Sequence, residues 1–169
     1  MRKFTFLLCC VMLLQLFAGC SGNNEEIEKP VSFYYINNEI SYNSPEAVIS
    51  DEIREGAQLQ SLEDLLAEYL DGPVSSELQT LIPNDVSLLS CVVNRDTADI
   101  YLSSQFSELS GINLTIACSA MLLTVHDFSG VQSICVYAEN EKLDDKEAFL
   151  LSLDDIVLVD TVTSEEPKE

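Results

Sequence analysis

Val86-Ser-Leu-Leu-Ser-Cys-Val-Val-Asn-Arg-Asp-Thr-Ala-Asp-Ile-Tyr-Leu102 is the stretch whose reading decides the fold. Val86 to Val93 has the branched apolar content of a strand, Asn94-Arg95-Asp96 is a turn signal, and Thr97 to Leu102 is a second strand, so the stretch reads as a hairpin. In its second arm Ala98, Ile100 and Leu102 alternate with Asp99, Tyr101 and Ser103, the pattern of a sheet covered on one face.

The covering elements lie on both sides of the hairpin. Upstream, Leu59, Leu62, Leu65, Leu66, Tyr69 and Leu70 fall at the three-and-four spacing of an amphipathic helix. Ser61 with Asp64 resembles a capping box at its start. Gly72-Pro73 ends it with a left-handed position followed by a residue that cannot continue a helix. Downstream, a helical stretch begins at Phe106 and Leu109 and is strongest from Asn113 to His126. There Ile116, Ala117, Ala120, Met121 and Thr124 share a face, while Leu114, Leu122 and Leu123 extend the apolar surface nearly all round. Such a helix is deeply buried or covered on both sides.

Further strands read at Val31 to Ile36, at Glu39 to Tyr42, around Ala47 to Ser50, and at Val131 to Ala138 after the Ser129-Gly130 break. Val74 to Pro83 is a connection, Glu139 to Lys146 an acidic loop, Glu147 to Ser152 a short helical turn, and Ile156 to Val162 a last β-like run. Two helices against four or more strands give an α+β fold: a single layer of mostly antiparallel sheet packed with two helices.

The chain opens with Arg2 and Lys3, a short apolar run and Leu16-Phe17-Ala18-Gly19-Cys20. Phe4 to Phe17 is well short of the ~20 residues that a spanning helix needs, and its cationic start and small-residue end are those of a secretory signal. Because the small residues end on a cysteine, the run resembles the lipobox of bacterial lipoproteins. That likeness implies cleavage before Cys20 and lipid on its thiol. Two or three acyl chains, of palmitate length for example, hold a protein firmly, whereas one holds it marginally. The expected location is the extracytoplasmic face of a cell membrane. Residues 1–19 are then the signal peptide, 20–30 a tether too polar to fold, 31–140 the domain, 141–162 a C-terminal extension with room for one more strand, and 163–169 a tail.

The net charge is −21, and loss of Arg2 and Lys3 with the leader takes it to −23. Phosphate backbones repel such a chain, which excludes ordinary nucleic-acid binding. Cys91, Cys118 and Cys135 remain after lipidation, an odd count that leaves at least one thiol unpaired. Their apolar surroundings suit buried thiols, with one disulfide as the alternative.

The order of these elements, with Tyr34-Tyr35, Leu70-Asp71-Gly72-Pro73, Ile82-Pro83, Ile100-Tyr101-Leu102-Ser103 with Phe106, Thr124-Val125-His126, and Val131 with Ile134, resembles the GerMN domain. That domain occurs in sporulation and germination lipoproteins of endospore-forming bacteria, and the likeness spans roughly Val31 to Asn140. The chain departs from the family pattern at Tyr101, where Asp is common, at His126, where a second Thr is common, and at Asn140, where Gly is common. The resemblance implies a non-catalytic envelope module similar in layout to domains that assemble into larger complexes.

Catalysis finds little support in the residues themselves. His126, the single histidine, sits at a helix end, where it meets terminal carbonyls. Ser103-Ser104 lacks the Gly-x-Ser-x-Gly setting of an exposed nucleophile, and there is no glycine-rich phosphate loop. Asp144-Asp145, with Glu139, Glu141 and Glu147, and Asp154-Asp155 lack the spacing of a calcium loop. The reading is therefore a binding protein without cofactor or metal. Its partners are the membrane, through Cys20, and other envelope proteins, with self-association open; the alternative is a ligand-binding lipoprotein for a small molecule or cell-wall fragment. Val31 to Ile36 carries no charge, so Tyr34 and Tyr35 are candidate interface residues if that strand lies at a sheet edge. They are half-buried core residues if it does not.

Overall fold

The structure, a computed structural model, describes residues 30–38, 48–55, 59–139 and 148–156. Within them β1 (Val31–Asn37), β2 (Ile49–Arg54), α1 (Leu62–Leu70), β3 (Leu78–Gln79), β4 (Leu88–Asn94), β5 (Thr97–Leu102), α2 (Gly111–Ser129), β6 (Ser133–Ala138) and β7 (Ala148–Ser152) follow in order. Short 3-10 turns occupy Ser104–Glu108 and Leu153–Asp155. The signal peptide, the tether up to residue 29, the strand expected at Glu39 to Tyr42, residues 157–162 of the last β-like run and the tail lie outside the described residues.

The fold is α+β with two helices, but its strands form two sheets rather than one layer. One has the order β2-β1-β3, all antiparallel, and the other β4-β5-β6-β7. In the second, the β4–β5 hairpin and the β6–β7 pair are antiparallel while β5 and β6 run parallel, because α2 carries the chain back to the starting end of the sheet.

α1 forms where its sequence signals place it. Ser61 Oγ accepts from the Asp64 N–H at 3.1 Å and the Asp64 carboxylate accepts from the Ser61 N–H at 3.0 Å, so both halves of the capping box are present. Its apolar face buries Leu65, Leu66 and Tyr69, and Gly72 takes φ +88° just past its end. α2 begins at Gly111, after a separate 3-10 turn that buries Phe106, and ends on Gly130 at φ +77°. Every residue from Ala117 to Val125 is buried, since α2 packs against β1, α1, β6 and β7 at once. It is long and apolar enough to cross a membrane by composition, yet here it is the central core helix.

Three expectations about strands need correction, the first being Val74 to Pro83, read as a connection, which contains β3 paired with the end of β1. The run expected around Ala47 to Ser50 is β2, which starts at Ile49 and continues to Arg54. Glu147 to Ser152 is no helical turn: from Ala148 it is the strand β7, paired with β6 from Tyr137↔Ala148 to Ser133↔Ser152. Asp155 belongs to a capped turn after it, where its carboxylate accepts from the Ser152 N–H at 3.0 Å.

Candidate functional site

β1 has β2 on one side, from Val31↔Arg54 to Ile36↔Ile49, and β3 on the other only at Ile36 and Asn37. Beyond β3, α2 closes that side, and the Tyr34 N–H donates to Thr124 Oγ1 at 2.9 Å. The edge on which an interface at Tyr34 and Tyr35 depended is therefore absent. Tyr35 is 1% exposed, stacked on Tyr69 with centroids 5.0 Å apart, and its hydroxyl donates to the Tyr69 carbonyl at 3.1 Å. Burial pushes its pKa up to about 12. Tyr34 is half-buried and its hydroxyl donates to Asp127 Oδ2 at 2.7 Å; burial and the Asp127 contact push it up to about 12.

On the Phe33 and Tyr35 face of β1 lies a charge cluster that sequence reading missed. Arg54 sits over the Phe33 ring at 4.3 Å. Its guanidinium donates to Glu52 at 2.7 Å, to Glu68 at 3.0 Å and to the Gly72 carbonyl at 2.8 Å. Glu52 also accepts from the N–H groups of Val74 and Ser75. Burial alone would raise the Glu52 pKa, but the bonds from Ser75, Arg54 and Val74 outweigh it and hold the group below its ordinary value. The cluster ties β2 to the C-terminal end of α1 and the loop after it, which is structural work. Its one sequence signal was the Glu52/Arg54 alternation on a strand.

The residues considered for chemistry are not brought together. His126 Nδ1 lies 2.8 Å from the Val131 carbonyl, so the ring ties the end of α2 to the chain entering β6. Cys91, Cys118 and Cys135 are free thiols; burial pushes Cys118 up to about 12. Among the described residues no three His, Cys, Asp or Glu side chains gather as metal ligands. Cys20 and residues 140–147 of the acidic loop lie outside them. An apolar cleft of about 290 Å³ opens between the Ser104–Glu108 turn, α2 and β6–β7, lined by Phe106, Leu109, Leu114, Val136 and Phe149 among others.

The four-stranded sheet has one face turned to the core and one partly exposed. Ala98, Ile100, Leu102, Ile134, Val136 and Leu151 fill its core face. On the other face Tyr101 and Tyr137 stack across β5 and β6 with centroids 4.6 Å apart, and Cys135 and Asp99 share a register position. β4 forms one border of this sheet, and its Leu89, Val92 and Val93 are 49%, 49% and 48% exposed.

Comparison with known proteins agrees with this architecture. The family Germane, described as sporulation and spore germination, matches residues 32–144. The chain belongs to that family. Among solved structures, the tandem GerMN domains of the sporulation protein GerM from Bacillus subtilis superpose with a TM-score of 0.52 at 17% identity, covering 76% of this chain and 48% of that one. A candidate lipoprotein from Clostridium perfringens gives a TM-score of 0.43 at 18% identity, covering 80% of this chain and 95% of the other. No curated protein matches the sequence at significance. This Germane chain shares the α+β layout of a GerMN domain and spans about half of the tandem GerM structure.

Proposed function

We propose that this Germane protein is a non-catalytic module, anchored by lipid on Cys20 to the extracytoplasmic face of the cell membrane, that acts in sporulation or germination by binding other envelope proteins. Family membership over residues 32–144 carries the reading. The lipobox-like run ending at Cys20 supports the anchor, and the open border and face of the four-stranded sheet support a binding rather than a chemical role.

The test joins location to phenotype. Cys20→Ser should leave the protein unlipidated, and either release it from membranes or stall its processing. It should also lower sporulation or germination efficiency as deletion does. A variant that stays with membranes at its mature size overturns the anchor, and a deletion strain with normal spores overturns the process.

A second reading, a lipoprotein that binds a small apolar ligand, rests on the cleft beside Phe106 and Phe149. Its volume of about 290 Å³ stands at the lower limit of ligand pockets, ~300 Å³. A ligand there would raise the melting temperature, and Leu114→Trp would abolish the rise.

A further inference from the structure

β4 reads Leu-Leu-Ser-Cys-Val-Val-Asn and holds no charge in a chain where 22% of residues are charged. Natural sheet borders are normally blunted by lysine, proline or a covering element. β2, the border of the other sheet, obeys that rule with Asp51, Glu52 and Arg54. β4 carries one bulge, at the register shift between Leu88 and Ser90, and the rest of the strand is regular.

The hairpin turn determines what β4 presents. Arg95 has φ +60° and is the one non-glycine residue with positive φ among those described, which fits a two-residue type II′ turn closing on the pair Asn94↔Thr97. That pair is hydrogen-bonded, and bonding alternates along an antiparallel ladder, so Val92↔Asp99 is the next bonded pair. The N–H and C=O of Cys91 and Val93 consequently point away from β5. No described strand pairs with them.

Charge decides which occupant fits. The carboxylates of Glu63, on α1, and Asp99, on the open face, lie near enough to Cys91 to raise its pKa, after burial, to about 11. A second copy paired on β4 would bring its own Glu63 and Asp99 against the first pair, and two chains of net charge −21 or beyond repel. A segment with Lys or Arg beside its apolar residues meets both the bare border and the flanking carboxylates. β7 is also uncharged, but the chain leading into Ala148 lies outside the described residues, whereas β4 has described residues on both of its ends.

We infer that β4 is a strand-addition site: an extended, basic segment of another envelope protein pairs with the outward backbone groups of Cys91 and Val93, its cationic side chains reaching Glu63 and Asp99. The inference deepens the interaction reading given above and rests on it.

The experiment places a photo-crosslinking amino acid at Val92, and separately at Ile53 and Leu150, in the full chain in its native envelope, and sequences the peptide captured. Capture at Val92 of a net-basic segment of a different protein supports the inference. Capture there of a second copy of this chain, of an acidic segment, or of nothing overturns it. Capture at Leu150 or Ile53 but not at Val92 overturns the β4 site and leaves the interaction reading standing, whereas empty arms at all three positions overturn both. Three edge variants sharpen the result. Val93→Pro deletes an outward N–H without touching a β4–β5 bond, so it should abolish capture while the melting temperature stays near that of the parent. Val93→Lys should abolish capture and Val93→Glu should keep it; equal loss in both would show apolar contact without charge recognition and overturn the basic partner.

Discussion

The backbone N–H of Tyr34 on β1 donates to the hydroxyl of Thr124 on α2 at 2.9 Å, and that hydroxyl donates onward to the Ala120 carbonyl at 3.0 Å. Thr124 is fully buried, so its side chain completes a ladder that β3 leaves unfinished. Thr124→Val should leave the Tyr34 N–H without a partner and cost ~1–3 kcal/mol. Thr124→Ser, which keeps the hydroxyl, should recover most of that. Urea denaturation checks both; equal stability of the valine variant and the parent would mean that α2 does not close the β1 edge.

Leu66 is fully buried in the cluster that holds Leu65, Tyr69, Phe33 and Tyr35. Leu66→Ala should remove methyl groups from a site that packed rings keep from collapsing, costing ~2–5 kcal/mol. A thermal melt unchanged by the substitution would contradict that packing.

The hairpin and α1 were legible because their signals are local: alternation in Thr97 to Leu102, a capping pair at Ser61 and Asp64, a glycine and proline at 72 and 73. What escaped depends on distant partners. Ala-Phe-Leu-Leu-Ser of β7 neither alternates nor shows helical spacing, and it becomes a strand because β6 has an open side. The parallel β5–β6 pairing follows from where α2 delivers the chain, which no window of sequence contains. The centrality of β1 turns on a two-residue strand and one threonine hydroxyl. For the same reason Tyr34 and Tyr35 stayed open between an edge and an interior strand, and the lack of charge on β4 was visible while its place at a border was not.

Arg54 joins four groups at once, and both it and Glu52 are largely buried, with side chains 13% and 12% exposed. Removing one partner of such a cluster leaves carboxylates without their counter-charge, so Arg54→Met should cost on the order of 3 kcal/mol. Arg54→Lys should rescue little, because an ammonium cannot span Glu52, Glu68 and the Gly72 carbonyl as a planar fork does. Chemical denaturation of the two variants checks this, and a lysine variant as stable as the parent would reduce the cluster to a simple ion pair.

Stability should fall at both ends of the pH scale for reasons traceable to named groups. Glu52 is held below its ordinary value in the folded chain, so its contribution is complete above the ordinary carboxylate range and disappears as pH falls through its depressed value. At the other end burial favours neutral Cys118, raised from 9.0 to about 12, and neutral Tyr35, raised from 10.0 to about 12. The unfolded chain releases these protons first, so stability is complete below pH 9 and declines as pH rises from there toward 12. Cys118→Ala removes one of the two groups and Tyr35→Phe the other, so each should flatten the alkaline decline even though each lowers stability at neutral pH. Denaturation midpoints measured from pH 7 to pH 11 give the slopes directly, and an alkaline slope unchanged in both variants would place the responsible titration elsewhere in the chain.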